Sequence, residues 1–323
     1  MKVAILDDYQ NVALAMADWS SVAGRAEITV FNDHVADLEA LVERLRPFDV
    51  ICVMRERTPL PREVIERLPH LKLIASTGGR NASIDMVAAE AHGIRVTATG
   101  YRSTPTIEMT WALILASVRE IVRESNSVRA GGWQTSIGRE LDGKVLGVLG
   151  LGNIGGAVAR IGLAFGMKVI AWSQNMTPQI AEEAGATLVT KDDLFRQADV
   201  VTIHLILSKR TRGLVGAAEL ALMKPTSRLI NTSRGPIVDE RALIDALTSR
   251  AIAGAALDVF DAEPLPDDHP FRTLDNVLAT PHIGYVAENL YRTFYGGAAA
   301  SIAAWLSASP GSWRACWPSA GAP

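Results

Sequence analysis

Residues 146–174, LGVLGLGNIGGAVARIGLAFGMKVIAWSQ, constrain the fold more than any other stretch of this chain. An apolar run at 146–149 enters Gly150-Leu151-Gly152-Asn153-Ile154-Gly155. A segment of small and apolar residues at helical spacing follows (Ala157, Val158, Ala159, Ile161, Leu163), and Val169–Trp172 is a second apolar run. Strand, glycine turn, helix and strand within about thirty residues are the frame in which a GxGxxG pattern binds a dinucleotide. Gly150 permits the tight turn, Gly152 has no side chain to hold a pyrophosphate off the backbone, and Gly155 lets the helix lie close on the strand. The free N–H groups at the helix start then face phosphate.

The flanking sequence alternates in the same way. Strands are predicted at Val3–Leu6, Ile28–Phe31, Val50–Met54, Leu71–Ser76 and Ile94–Ala98, with helical spacing between them at Leu38, Leu41, Val42 and Leu45, and again at Val64, Ile65 and Leu68. That pattern predicts a small open parallel sheet. Thr106 to about Val128 is predicted as one long apolar helix joining two domains, buried on more than one side and broken by Gly131-Gly132-Trp133. Strands then recur at Thr187–Val189, Val200–Leu205, Leu229–Thr232, Ala255–Val259 and Val277–Ala279, with Asp239 as the N-cap of a helix over Glu240–Thr248. With the cofactor sheet counted at six strands, the last amphipathic helix, 287–306, is expected to cross back to the first domain. A chain of 323 residues is too long for one ordinary core. The expectation is an α/β protein of two doubly wound parallel-sheet (Rossmann-like) domains, the substrate domain discontinuous. Its parts are 1–100 with 287–306, the cofactor domain is 101–286, and 307–323 is an irregular tail.

Composition narrows the function. A net charge of −3 gives no support to nucleic-acid or membrane-surface binding. The two cysteines, Cys52 and Cys316, make neither a disulfide framework nor a metal cluster, so no metal is expected. No apolar stretch reaches transmembrane length and MKVAIL opens directly as a strand, which predicts a soluble cytoplasmic protein.

In open α/β sheets, ligands bind outside the carboxyl ends of the strands. Leu229–Thr232 is followed by Ser233-Arg234-Gly235. Ala255–Val259 carries Asp258 near its end with Glu263-Pro264 beyond, and Val277–Ala279 leads into Thr280-Pro281-His282-Ile283-Gly284. An arginine, a glutamate and a histidine therefore come to the rim that holds the pyrophosphate. Hydride transfer at a carbinol carbon needs a base for the hydroxyl proton, and histidine suits that near neutral pH. A carboxylate beside it fixes the imidazole tautomer, and an arginine fork holds a substrate carboxylate. His34, His70, His92 and His269 are read as structural.

At these residues the chain resembles the D-isomer-specific 2-hydroxyacid dehydrogenases, in the blocks LGVLGLGNIG, LINTSRGPIVDE, ALDVFDAEPLP with DHPF, and TPHIG, which run in family order. The resemblance implies an NAD-dependent oxidoreductase acting on a D-2-hydroxy acid or its 2-oxo acid. It implies Arg234 as the substrate-carboxylate arginine, His282 as the acid/base and Glu263 as its partner. It further implies Asp258 near the nicotinamide carboxamide, Asn153 and Ile154 over the pyrophosphate, and Thr232, Ser233 and Gly284 beside the cofactor. Thr77 and Gly78 correspond to a loop of the first domain that closes on substrate and cofactor, Arg55 is a separate substrate-binding candidate, and a homodimer built across the long helix and the arm near Trp133 is implied. Two other classes resemble the same family: corepressors that sense NAD(H) without significant turnover, and formate- or phosphite-type dehydrogenases.

Two positions depart from the family pattern. Where relatives that prefer NAD end the second cofactor strand with an acid, this chain has Ser173, and no arginine or lysine follows it to attract a 2′-phosphate. NAD is the expected cofactor, with NADP as the alternative. Tyr285 stands after PHIG where a small residue is common, and is expected to narrow the pocket or pack under the crossing helix. Arg55-Glu56-Arg57-Thr58 resembles a segment of phosphoglycerate dehydrogenases that reaches an anionic substrate end. The chain has no room for the regulatory C-terminal domain that some of those enzymes carry.

Overall fold

Short apolar β-branched runs separated by helices can pair only in parallel, because each crossover returns the chain to the same end of the sheet. The computed structural model of the protein describes residues 1–308, and it divides into two units, Met1–Arg102 with the segment from Val286 onward, and Ser103–Tyr285. The tail read as irregular lies, from residue 309 on, outside the described residues, as does Cys316.

The first unit holds β1 (Lys2–Ile5), β2 (Glu27–Val30), β3 (Val50–Val53), β4 (Leu73–Ser76) and β5 (Arg95–Thr97), all parallel in the order β2-β1-β3-β4-β5. β3 and β4 are buried along their whole length, as strands covered on both faces must be. Cys52 sits inside β3, where burial first, then the charge of Asp8, pushes its thiol up to about 12, so it is a core residue and not a nucleophile. The helix Glu288–Ser307 belongs to this unit and buries Leu290, Phe294, Tyr295 and Ile302 in it.

The second unit carries β6 (Val145–Leu149), β7 (Lys168–Trp172), β8 (Thr187–Leu188), β9 (Val200–Ile203), β10 (Arg228–Asn231), β11 (Gly254–Leu257) and β12 (Val277–Ala279). They pair in parallel in the order β12-β11-β10-β9-β6-β7-β8. The sheet has seven strands and not six, with the two-residue β8 at its edge. The order reverses between β6 and β9, which opens a crevice at their carboxyl ends. Asp239 caps the helix Glu240–Thr248, accepting the Ala242 N–H at 3.0 Å.

The long helix expected over 106–128 is in fact two, Thr104–Val118 and Ile121–Arg129. The first buries Trp111, Leu113, Ile114 and Val118, and Trp111 stacks on Phe165 with centroids 4.9 Å apart. Glu120 ends the run in the left-handed conformation at φ +52°, held by an ion pair with Arg228. Beyond it the sequence turns polar (Arg123, Glu124, Asn126, Arg129), and the second helix buries no residue. The count of apolar residues hid this change of face, since Ile121, Val122 and Val128 are all exposed. No helix among the described residues is long and apolar enough to cross a membrane.

Candidate active site

The glycine turn leaves β6 at the switch point. Gly150 has φ +94°, a region closed to side chains, and a Cβ there would lie 2.8 Å from the His204 carbonyl oxygen. A Cβ on Gly155 would collide with the Gly150 carbonyl, so only glycine lets the helix Asn153–Ala164 approach the strand. Gly152, by contrast, faces open space, with nothing within 4 Å of where its Cβ would be. Asn153 and Ile154 are the first two residues of the helix, whose end carries roughly half a positive charge. An uncrowded glycine ahead of unpaired N–H groups fits the pyrophosphate of a dinucleotide.

The pocket that opens here has a volume of about 530 Å³ and runs from Gly150 and Gly152 to Ser173 at the end of β7. Its floor includes His204, which follows β9. Burial pushes the His204 imidazole down to about 3, so it is neutral, and its Nε2 lies 2.9 Å from the Thr202 hydroxyl. The sequence shows no cation directly after Ser173, and the fold brings one to the pocket from elsewhere in the chain. Arg210, from the loop after β9, lines the same pocket. Inspecting the polar residues after β9 as well as those after β10, β11 and β12 would have found it.

The remaining polar residues sit where β10, β11 and β12 end. Ser233 follows β10, its N–H bonded to Asn231 Oδ1 at 3.0 Å and its hydroxyl to the Leu205 carbonyl at 2.5 Å. Thr232 turns its hydroxyl inward to Thr110, 2.8 Å away. Arg234 is partly exposed, extended at φ −149°, and donates to the Ser233 carbonyl at 2.8 Å. Glu263 accepts the Phe260 N–H at 2.9 Å through Oε1 and meets His282 Nδ1 at 2.5 Å through Oε2. Burial opposes ionisation of Glu263, but the hydrogen bond and charge of His282, the Phe260 N–H and the Arg234 charge prevail and hold its carboxyl below the ordinary range. The three residues thus share one electrostatic environment.

An ionised carboxylate can only accept, so Nδ1 carries the proton and the other ring nitrogen, Nε2, is left to act on a ligand. The His282 and Glu263 side chains remain 26% and 34% exposed, enough for a small molecule to reach the ring. His282 itself is left-handed at φ +52°, a strained conformation for a non-glycine residue that the surroundings must enforce. Asp258 does so. Its Oδ1 accepts the Thr280 hydroxyl at 2.6 Å and the Ile283 N–H at 2.9 Å, and its Oδ2 accepts the Gly284 N–H at 2.7 Å. Burial pushes the Asp258 carboxyl up against the pull of these donors and of the His282 charge. This bracing of the histidine loop was not legible from sequence spacing. Tyr285 is buried with its ring edge-on to His282, centroids 5.5 Å apart, so it packs against the histidine.

Replacing Asp258 with asparagine puts an amide donor opposite the Gly284 N–H. The expected result is a loss of about 1–3 kcal/mol of stability, measured by urea unfolding, together with reduced turnover. Unchanged stability would mean that the loop is held by something else.

In the first unit, Arg55 follows β3 at φ +54°, with its N–H on Thr77 Oγ1 at 2.8 Å. Its guanidinium bonds the Thr77 and Arg80 carbonyls, both at 3.3 Å, and lies over the Tyr101 ring. The Gly78 N–H is bound by the Thr99 hydroxyl at 2.7 Å. Arg55 is therefore folded onto the neighbouring loop that follows β4. Among the described residues, no group of three or more His, Cys, Asp or Glu side chains is placed to hold a metal ion.

Residues 111–284 match the model of the D-isomer specific 2-hydroxyacid dehydrogenase, NAD binding domain. The chain is 41% identical over 255 residues to a glyoxylate reductase of Aeropyrum pernix, covering 76% of each protein. It is 41% identical over 254 residues to a D-3-phosphoglycerate dehydrogenase of Methanocaldococcus jannaschii, covering 77% of this chain and 48% of that one. The chain thus spans about half the length of that second relative. A crystal structure of a phosphoglycerate oxidoreductase from Vibrio cholerae o395 superposes with a TM-score of 0.90 at 38% identity, covering 94% of this chain and 98% of the other.

Proposed function

Since the chain belongs to the D-isomer specific 2-hydroxyacid dehydrogenases, an NAD-dependent enzyme family, we propose that it interconverts a short D-2-hydroxy acid and its 2-oxo acid. His282 is the acid/base, Glu263 its positioning partner and Arg234 the clamp on the substrate carboxylate. NAD(H), when bound, supplies or accepts the hydride. In the reductive direction, Nε2 of protonated His282 gives its proton to the carbonyl oxygen as that oxygen takes up negative charge. Glu263 accepts from Nδ1 throughout, which holds the ring and keeps Nε2 turned to the substrate. Arg234 places its planar fork on the carboxylate and polarises the neighbouring carbonyl. Gly150, Gly152, Asn153, Ile154 and Gly155 form the pyrophosphate seat. Ser173, Thr232, Ser233, Asp258 and Gly284 complete the cofactor site.

The observation that carries this reading is the 2.5 Å contact between His282 Nδ1 and Glu263 Oε2, which frees Nε2 for the substrate. Arg55, Thr77 and Gly78 are the first unit's contribution to substrate binding in this reading. The Arg55 bonds to the loop after β4 use one terminal nitrogen, leaving the rest of the fork for an anionic group. A short oxo acid is supported by the glyoxylate reductase name of the relative from Aeropyrum pernix. The exposed side chains of Trp133 (74%) and Ile137 (97%) support a second copy of the chain as the partner.

The test follows NADH absorbance with glyoxylate, hydroxypyruvate, 3-phosphohydroxypyruvate, pyruvate and a branched-chain 2-oxo acid. The expected result is turnover with at least one of them, with the D-hydroxy acid as product. NADH binding without turnover on any member of the panel would overturn the proposal.

A further inference from the structure

The dinucleotide pocket carries a charge pattern that an NAD-only site would not need. The acid that would bind the ribose hydroxyls and repel a 2′-phosphate is replaced by Ser173. Among the described residues lining the pocket there is no aspartate or glutamate, and with His204 held neutral, Arg210 is the one formal charge.

The loop that presents Arg210 is ordered by its own bonds. The Thr211 hydroxyl accepts the Ser208 N–H at 2.8 Å and donates to the Ile206 carbonyl at 2.6 Å, and the Arg212 N–H returns to the Ser208 carbonyl at 3.0 Å. The Arg210 side chain itself is exposed and forms no ion pair among the described residues, so its fork is available. An arginine without a carboxylate partner, in a cavity shared with Ser173, suits a phosphate dianion.

We propose that Arg210 is the residue that reads the 2′-phosphate of the dinucleotide, and that this chain therefore binds NADPH as well as NADH. The proposal rests on the reading of this pocket as the cofactor site, and it adds a second anion seat to the one formed by the glycine turn. Ser173 gives the phosphate room and a hydroxyl donor, and Arg210 gives it charge.

Titration calorimetry with NADH and NADPH on the purified full chain, without substrate, tests this. NADPH is expected to bind within about tenfold of NADH. Arg210→Gln is expected to weaken NADPH by about tenfold, as loss of one partly exposed charge-assisted contact should, while changing NADH less than about twofold. Ser173→Asp is expected to weaken NADPH at least about tenfold more than it changes NADH, with an unaltered circular-dichroism spectrum showing that the variant folds. An equal loss for both dinucleotides in Arg210→Gln would overturn the proposal, because Arg210 would then touch a part they share. Wild-type binding of NADH but not NADPH would overturn it while leaving the cofactor site intact. Binding of neither would overturn both.

Discussion

Replacing His282 with glutamine is expected to lower kcat by about two to four orders of magnitude, the range that a positioned acid/base contributes. Glutamine keeps the approximate length of the side chain and an amide N–H to offer Glu263, but it has no proton to exchange near neutral pH. Affinity for NADH should stay within about twofold, because the glycine turn and helix start that seat the pyrophosphate are unchanged. Stopped-flow measurement of the hydride step with NADH separates the two effects. A variant that turns over like the wild type would remove His282 from the mechanism, and with it the meaning of its 2.5 Å contact to Glu263.

The second large effect is expected at Arg234. Truncation to alanine should reduce kcat/KM by about two to three orders of magnitude, since the fork is proposed both to bind the carboxylate and to polarise the carbonyl as it gains charge. Arg234→Lys should recover only part of this, because an ammonium supplies charge without bidentate geometry. Arg234 also donates to the Ser233 carbonyl, so unfolding midpoints of both variants need to accompany the kinetics. Equal kcat/KM in the wild type and the alanine variant would show that the carboxylate is held elsewhere. A loss in kcat with KM unchanged would place the contribution of Arg234 in the transition state alone.

Much of the scaffold was legible because it is encoded over short distances. The period of apolar residues located the strands, Asp239 announced the helix it caps, and the spacing of Gly150, Gly152 and Gly155 required a tight turn against a close-packed helix. Arg234, Glu263 and His282 could be singled out because each follows a strand, and parallel topology brings strand ends to one rim. The helix break at Glu120 was not legible. The apolar residues continue past it, and the left-handed turn is tied to an arginine far along the chain, Arg228.

The sequence alone therefore determined the class of fold, the glycine seat and the chemical types at the strand ends, since periodicity, capping and turn stereochemistry act within a few residues. Only the tertiary structure decided which groups meet. It set the Asp258 carboxylate under the loop that carries His282 and forced that histidine into a left-handed conformation. It also brought Arg210 to the pocket of Ser173 from a different loop. These pairings follow from strand order, and strand order is fixed by burial of whole faces of the sheet, a long-range free energy that no local pattern carries.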